Sequence, residues 1–148
     1  MNKEDIKILI VDDEPDIIEI ISFNLKKKGY QTLSAGDGLE AIKLARKELP
    51  QLIIMDIMMP NLDGIEACEL LRQESIFSET IIMFLTARAE DFSYVAAFDA
   101  GADDYIIKPI KPKVLVSKVK GLLRRFKDKK VVSNQLVYDN LVIDKDKY

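Results

Sequence analysis

Residues 51–64, QLIIMDIMMPNLDG, restrict the possible fold more than any other stretch. Leu52, Ile53, Ile54 and Met55 form an apolar run that ends on a carboxylate, Asp56. The chain then breaks at once into a segment holding Pro60, Asn61, Asp63 and Gly64. A short apolar run closed by turn residues reads as a strand buried on both faces. Such a strand needs helices above and below it, and a charge at its end falls where the sheet stops and solvent begins. Asp56 follows the run without a spacer, so it is read as a candidate nucleophile at a sheet edge.

The same signature recurs along the chain. Residues 6–11 form a first buried strand, followed by Asp12, Asp13, Glu14 and Pro15; acids and proline suit the first turn of a helix. That helix places Ile17, Ile21 and Leu25 on one face and ends in three lysines and Gly29. Residues 31–35 are a weaker strand, suited to an edge. A second helix, 38–48, turns Ala41, Ile42 and Ala45 inward, and a third, after Gly64, buries Ile65, Cys68 and Leu71. Residues 80–85 form the fourth strand, ending in Thr86, Ala87 and Arg88. In a helix over 90–100, Phe92, Tyr94, Val95 and Phe98 cannot all face a core. Residues 104–107 are the fifth strand, followed by Lys108 and Pro109. The last helix starts near Pro112, repeats Leu115, Val119, Leu122 and Phe126 at helical spacing, and finishes in Arg124, Arg125 and Lys127. Five strand–helix alternations with short connections specify an α/β fold: a doubly wound, five-stranded parallel sheet in three layers, with right-handed crossovers. Such a sheet commonly has strand order 2-1-3-4-5, and ligands bind outside the carboxyl ends where strands 1 and 3 diverge.

Composition narrows the chemistry. The chain has 148 residues and no histidine, which excludes histidine-based acid–base, nucleophilic and metal chemistry. Its net charge of −3 gives no global case for binding nucleic acid or an anionic membrane. The single cysteine, Cys68, cannot form an internal disulfide, which fits a reducing compartment. No signal peptide or membrane-length apolar run is present, so a cytoplasmic location with no membrane contact is expected.

Strands 1, 3, 4 and 5 of the expected sheet close on polar residues: Asp12 and Asp13, Asp56, Thr86, and Lys108. In the order 2-1-3-4-5 these come from neighbouring strands and converge on one rim. Two carboxylates ~5 Å apart at an effective dielectric of ~20 repel by roughly 3 kcal/mol. Three acids against one lysine leave an excess of two negative charges, and an oxygen-seeking divalent cation removes it. Acids without histidine favour Mg²⁺. With the cation and Lys108 in place, the rim is able to hold a phosphoryl group and a carboxylate is able to attack it.

VDDEP after the first strand, MDIMMPNLDG around the third, LTA after the fourth and the late KP together resemble the receiver domain of bacterial two-component response regulators. The resemblance covers about residues 7–127. It implies a flavodoxin-like fold in which Asp56 accepts a phosphoryl group from a phosphohistidine on a partner sensor histidine kinase. It further implies Mg²⁺ held by Asp12, Asp13, Asp56 and the Met58 carbonyl, with Thr86 and Lys108 on the phosphoryl oxygens. Tyr105 would be the aromatic that follows Thr86 in switching, Ala87 the small residue that leaves Asp56 accessible, and Lys108–Pro109 a cis peptide. The family's chemistry is weak self-catalysed phosphoryl transfer and loss to water, so an enzyme in the ordinary sense is not expected.

Charge is segregated late in the chain. Residues 88–104 hold five acids and one base, whereas 111–130 hold nine bases and one acid; two such surfaces complement each other about a two-fold axis. The transcription-factor branch of the family dimerises through its fourth-helix, fifth-strand, fifth-helix face. That resemblance implies a homodimer face with Tyr94, Asp99, Asp103, Asp104, Val114, Lys118 and Arg124. Tyr94 and Val114 stand where the branch has an ion pair, so an apolar contact is expected there, with Asp104 and Lys118 remaining ionic. Residues 1–127 are thus expected to be the receiver. Residues 128–148 begin as a charged linker, KDKKVVSNQ, and LVYDNLVIDKDKY then alternates like a strand pair. That tail resembles the start of a winged-helix DNA-binding domain, through which alone DNA would be bound.

Three other functions compete. A degenerate receiver that only binds partners conflicts with the intact Asp13, Asp56, Thr86 and Lys108 set. A flavodoxin-like cofactor enzyme needs a phosphate-cradling first loop, and VDDEPD repels phosphate. An aspartyl-phosphate phosphatase with a second acid two residues after its nucleophile would need that acid at Met58.

Overall fold

The computed structural model describes residues 2–87 and 94–139; the side chains of Tyr94 and of residues 126–139 lie outside that description. The elements are β1 (Lys7–Val11), α1 (Pro15–Lys27), β2 (Gln31–Ala35), α2 (Gly38–Glu48), β3 (Leu52–Asp56), α3 (Gly64–Arg72), β4 (Ile81–Thr86), α4 (Tyr94–Asp99), β5 (Asp104–Ile107) and α5 (Pro112–Asp139). The sheet is parallel throughout and its order is β2-β1-β3-β4-β5, the common order expected for such a sheet.

Side chains on successive strand residues leave the sheet on opposite faces, and this sorts the apolar runs into two cores. Ile8, Ile10, Leu52, Ile54, Met83, Leu85 and Ile106 pack against Ile21 and Leu25 of α1 and Leu115, Val119 and Leu122 of α5. Leu9, Val11, Ile53, Met55, Ile82 and Phe84 pack on the other face against Ala41, Ile42 and Ala45 of α2 and Ala67, Cys68 and Leu71 of α3. Ala97 and Ala100 join this second core, whereas Val95 and Phe98 are exposed. Among the described side chains the mixed face therefore resolves by size: Ala97 and Ala100 take the inner positions, and Val95 and Phe98 turn outward. Phe92 lies outside the described residues.

Local chemistry fixes where the helices begin. Asp63 caps α3 in a reciprocal capping box with Glu66. Gly64 donates its amide to the Ile57 carbonyl at 2.9 Å. A Cβ at Gly64 would stand 2.3 Å from the Asp56 carbonyl oxygen, so only glycine lets α3 start this close to the end of β3.

Two departures from the sequence expectation stand out. Helix α5 does not stop near Lys127 but continues to Asp139. The residues expected to be a charged linker, and residues 136–139 of the expected strand pair, are helical. After Gly121 the stretch contains neither glycine nor proline, so its charges do not end the helix. Residues 140–148 lie outside the described residues. The second departure is Arg72, to which no role had been given. It donates to the carbonyls of Phe77 and Thr80, both at 2.7 Å, and twice to Gly101, at 3.0 and 2.8 Å. It also pairs with Asp103 at 3.0 Å, and Asp103 accepts the Ile82 amide at 2.9 Å. One guanidinium thus ties α3 to both loops flanking β4 and α4. Replacing it by alanine leaves several part-buried carbonyls without their donor. Arg72→Ala is expected to lower stability by about 3 kcal/mol in urea unfolding, with Arg72→Lys recovering only part of the loss.

Candidate functional site

The rows that fill the α1/α5 core continue past the ends of the strands. Ile8 and Ile10 lead to Asp12, Leu52 and Ile54 lead to Asp56, and Ile106 leads to Lys108. The polar residues that close three strands therefore belong to one face, and they meet. Lys108 Nζ lies 3.1 Å from Asp12 Oδ2 and 3.5 Å from Asp56 Oδ2. Asp13 completes the group: Asp12, Asp13 and Asp56 each place a carboxylate oxygen within 4.8 Å of the other two. Asp12 is 1% exposed and Asp56 5%, whereas Asp13 is open to solvent.

The two buried carboxylates are satisfied to different degrees. Asp12 Oδ1 accepts the Glu14 amide at 2.9 Å. Its Oδ2 is fully buried and accepts no well-aligned hydrogen bond, leaving it only the Lys108 ammonium. Asp56 Oδ1 accepts the Met58 amide at 3.3 Å. Burial, and then the Asp12 charge, push the Asp56 carboxyl up to about 6, against the pull of Lys108 and the Met58 amide. Burial works against the Lys108 ammonium, but the carboxylates of Asp12, Asp56 and Glu14 outweigh it and hold its pKa above the ordinary value. A buried carboxylate oxygen without a hydrogen bond, next to a second acid with a raised pKa, is a donor set short of positive charge. The acids present fit a small, hard divalent cation.

Thr86 and Tyr105 occupy the other face. Thr86 follows Ile82 and Phe84, which line the α2/α3/α4 core, and is 6% exposed. Tyr105 pairs in register with Phe84, and Thr86 with Ile107. Tyr105 is half-buried against the same core. Lys108 donates its amide to the Thr86 carbonyl at 2.7 Å and is joined to Pro109 by a cis peptide, as expected. Ala87 is exposed beside Thr86. The Met58 side chain is 78% exposed, so only its backbone borders the acids. Glu14 was not assigned to the site, yet its carboxylate lies 3.9 Å from Lys108; a third acid in the same first loop was the available signal.

The expected dimer-face residues behave differently from one another. Lys118 binds Asp104 of its own chain at 3.2 Å, donates to the Tyr105 carbonyl at 3.1 Å and stands 5.4 Å from the centre of the Tyr105 ring. Asp103 is engaged by Arg72. Asp99, Val114 and Arg124 are exposed, and the Tyr94 side chain lies outside the described residues.

The raised Asp56 pKa has a measurable consequence in chelator. Between pH 4 and 6 Asp56 holds more of its proton in the folded protein than in the unfolded chain, so its contribution to stability falls as pH rises through that window. Asp56→Asn is expected to raise metal-free stability above pH 6, by up to about 3 kcal/mol, and to give no gain at pH 4. Denaturant unfolding in chelator at the two pH values checks this.

The family model for the response regulator receiver domain matches residues 8–120. The alkaline phosphatase synthesis transcriptional regulatory protein PhoP of Bacillus subtilis is 46% identical over 125 residues, which are 84% of this chain and 50% of that protein. The chain thus spans about half the length of this curated relative. A putative response regulator from Chloroflexus aurantiacus has a similar structure, with a TM-score of 0.76 at 36% identity, over 80% of this chain and 97% of that one. The chemotaxis response regulator CheY4 of Vibrio cholerae is similar at a TM-score of 0.75 and 31% identity, over 79% of this chain and 98% of that one.

Proposed function

Because this chain belongs to the response regulator receiver domain family, we propose that it is a phosphorylation-activated switch whose phosphoacceptor is Asp56. The observation that carries this reading is the convergence of Asp12, Asp56 and Lys108 at 3.1 and 3.5 Å, with Asp13 alongside. An Asp56 carboxylate oxygen attacks the phosphorus of a phosphohistidine on a partner histidine kinase. The P–N bond breaks with its electron pair going to the imidazole nitrogen, and an acyl phosphate remains on Asp56. Lys108 would neutralise one phosphoryl oxygen, and Thr86 would donate its hydroxyl to another. Asp12, Asp13, Asp56 and the Met58 carbonyl would hold Mg²⁺, which supplies charge neutralisation on the transferring group. Loss of the phosphoryl group to water resets the switch.

The output would pass through the opposite face of the sheet. Thr86 and Tyr105 share that face with α4, so a pull on Thr86 is felt where Tyr105 packs. Val95, Phe98, Ile107 and Val114 expose apolar surface on α4, β5 and α5, which suits association of two copies there. Because Asp104 and Lys118 already pair within one chain, their part in a dimer would be to share or exchange that pair. The chain would act in the cytoplasm, ahead of a winged-helix domain that binds DNA, connected through residues 128–148. No helix among the described residues is long and apolar enough to cross a membrane.

Mass spectrometry after treatment with a small phosphoryl donor and Mg²⁺ tests the assignment. Wild type is expected to gain one phosphate, Asp56→Asn none, and Lys108→Ala less than a tenth of the wild-type amount at equal time. Sedimentation of the same samples should show dimer only where phosphate is incorporated. Labelling that survives Asp56→Asn overturns the site.

A further inference from the structure

A groove of about 460 Å³ runs between the outer sides of α1 and α5. Its walls carry four exposed lysines: Lys27 and Lys28 at the end of α1, and Lys113 and Lys120 on α5. No acid lines it, and among the described residues none of the four lysines makes an ion pair. Lys27 instead rests 5.9 Å from the centre of the Phe23 ring. On α5, Lys113, Val116, Ser117 and Lys120 follow one another at helical spacing, beside the stripe of Leu115, Val119 and Leu122 that fills the core. On α1, Asn24, Lys27 and Lys28 do the same. Two lysine-bearing stripes, far apart in sequence, thus face one another across a concavity.

The chain as a whole carries −3, so this groove is a local reversal of its field. Four like charges gathered without a counter-charge favour an anionic occupant. The shape selects which one. A concave slot between two helices admits a single peptide segment but not the convex flank of a nucleic-acid duplex or the plane of a membrane. Val116, half-buried in the groove, offers an apolar contact, and Asn24 and Ser117 offer hydrogen bonds. We propose that the α1/α5 groove docks an acidic peptide segment of a partner protein. Carboxylates of the segment would meet the two lysine walls, and an apolar side chain between them would cover Val116.

The whole chain, ¹⁵N-labelled, is titrated at low salt with poly-L-glutamate, in parallel with a mixed-sequence DNA duplex and phosphatidylglycerol vesicles. Poly-L-glutamate is expected to bind more tightly than the other two and to shift the amides of residues 24–28 and 113–120. Binding should weaken with added salt. Lys27→Glu with Lys120→Glu should weaken it roughly tenfold or more, and Lys27→Ala with Lys120→Ala should do so to a smaller extent. All four changes are at exposed positions, and the circular-dichroism melt confirms folding. Tighter binding of the duplex or the vesicles overturns the proposal, as do amide shifts centred on Arg124 and Arg125 or a double charge reversal without effect. The readout needs no phosphoryl group, so its failure leaves the proposed switch at Asp56 untouched.

Discussion

Crowding of negative charge at the mouth of a parallel sheet is the constraint around which the molecule is arranged. Asp12 and Asp56 are buried side by side, and one ammonium, that of Lys108, touches both. Burial raises the cost of the Asp56 carboxylate, and the neighbouring Asp12 charge raises it again. The site is therefore held under electrostatic tension, which the proposed cation would relieve. A sheet of apolar strands tolerates this because the acids sit at strand ends, where backbone amides such as those of Glu14 and Met58 turn toward them.

The two-residue period of the strands divides labour between the faces. One set of rows ends in Asp12, Asp56 and Lys108; the other ends in Thr86 and carries Tyr105. The acid cluster and the Thr86–Tyr105 row thus share one sheet while packing against different helices. Thr86 connects them through the backbone, since its carbonyl accepts the Lys108 amide at 2.7 Å. On the Thr86 side, Arg72 fixes the approach to β4 and the Gly101 turn after α4, so the far end of that layer is pinned while the end near Thr86 borders the acids.

Much of this was legible from residues alone. The alternation of apolar runs with amphipathic stretches set the three layers, because helices must cover both faces of fully apolar strands, and the strand order is the one common to such sheets. The polar residues closing strands 1, 3, 4 and 5 were visible for the same reason: a charge directly after Leu52–Met55 has only one place to go. The edge position of β2 followed from its weaker apolar content. The helical continuation of α5 was obscured by its charges, which were read as linker although no residue there stops a helix.

Side-chain partnerships across distant segments were not legible. Nothing in the spacing of Arg72 and Gly101, or of Lys27 and Lys120, announces that they are neighbours, because helical and strand periods report faces and not what meets a face. Asp103 could be placed on an acidic surface from its sequence, but only the tertiary structure shows it engaged by Arg72 and the Ile82 amide. The sequence by itself determined the fold class, the rim and the residues that reach it, since hydrophobic period and strand ends are local properties. Only the tertiary structure decided which charges are already neutralised and which, like those of the α1/α5 groove, are left facing solvent, since Coulomb interactions depend on distances that local pattern does not contain.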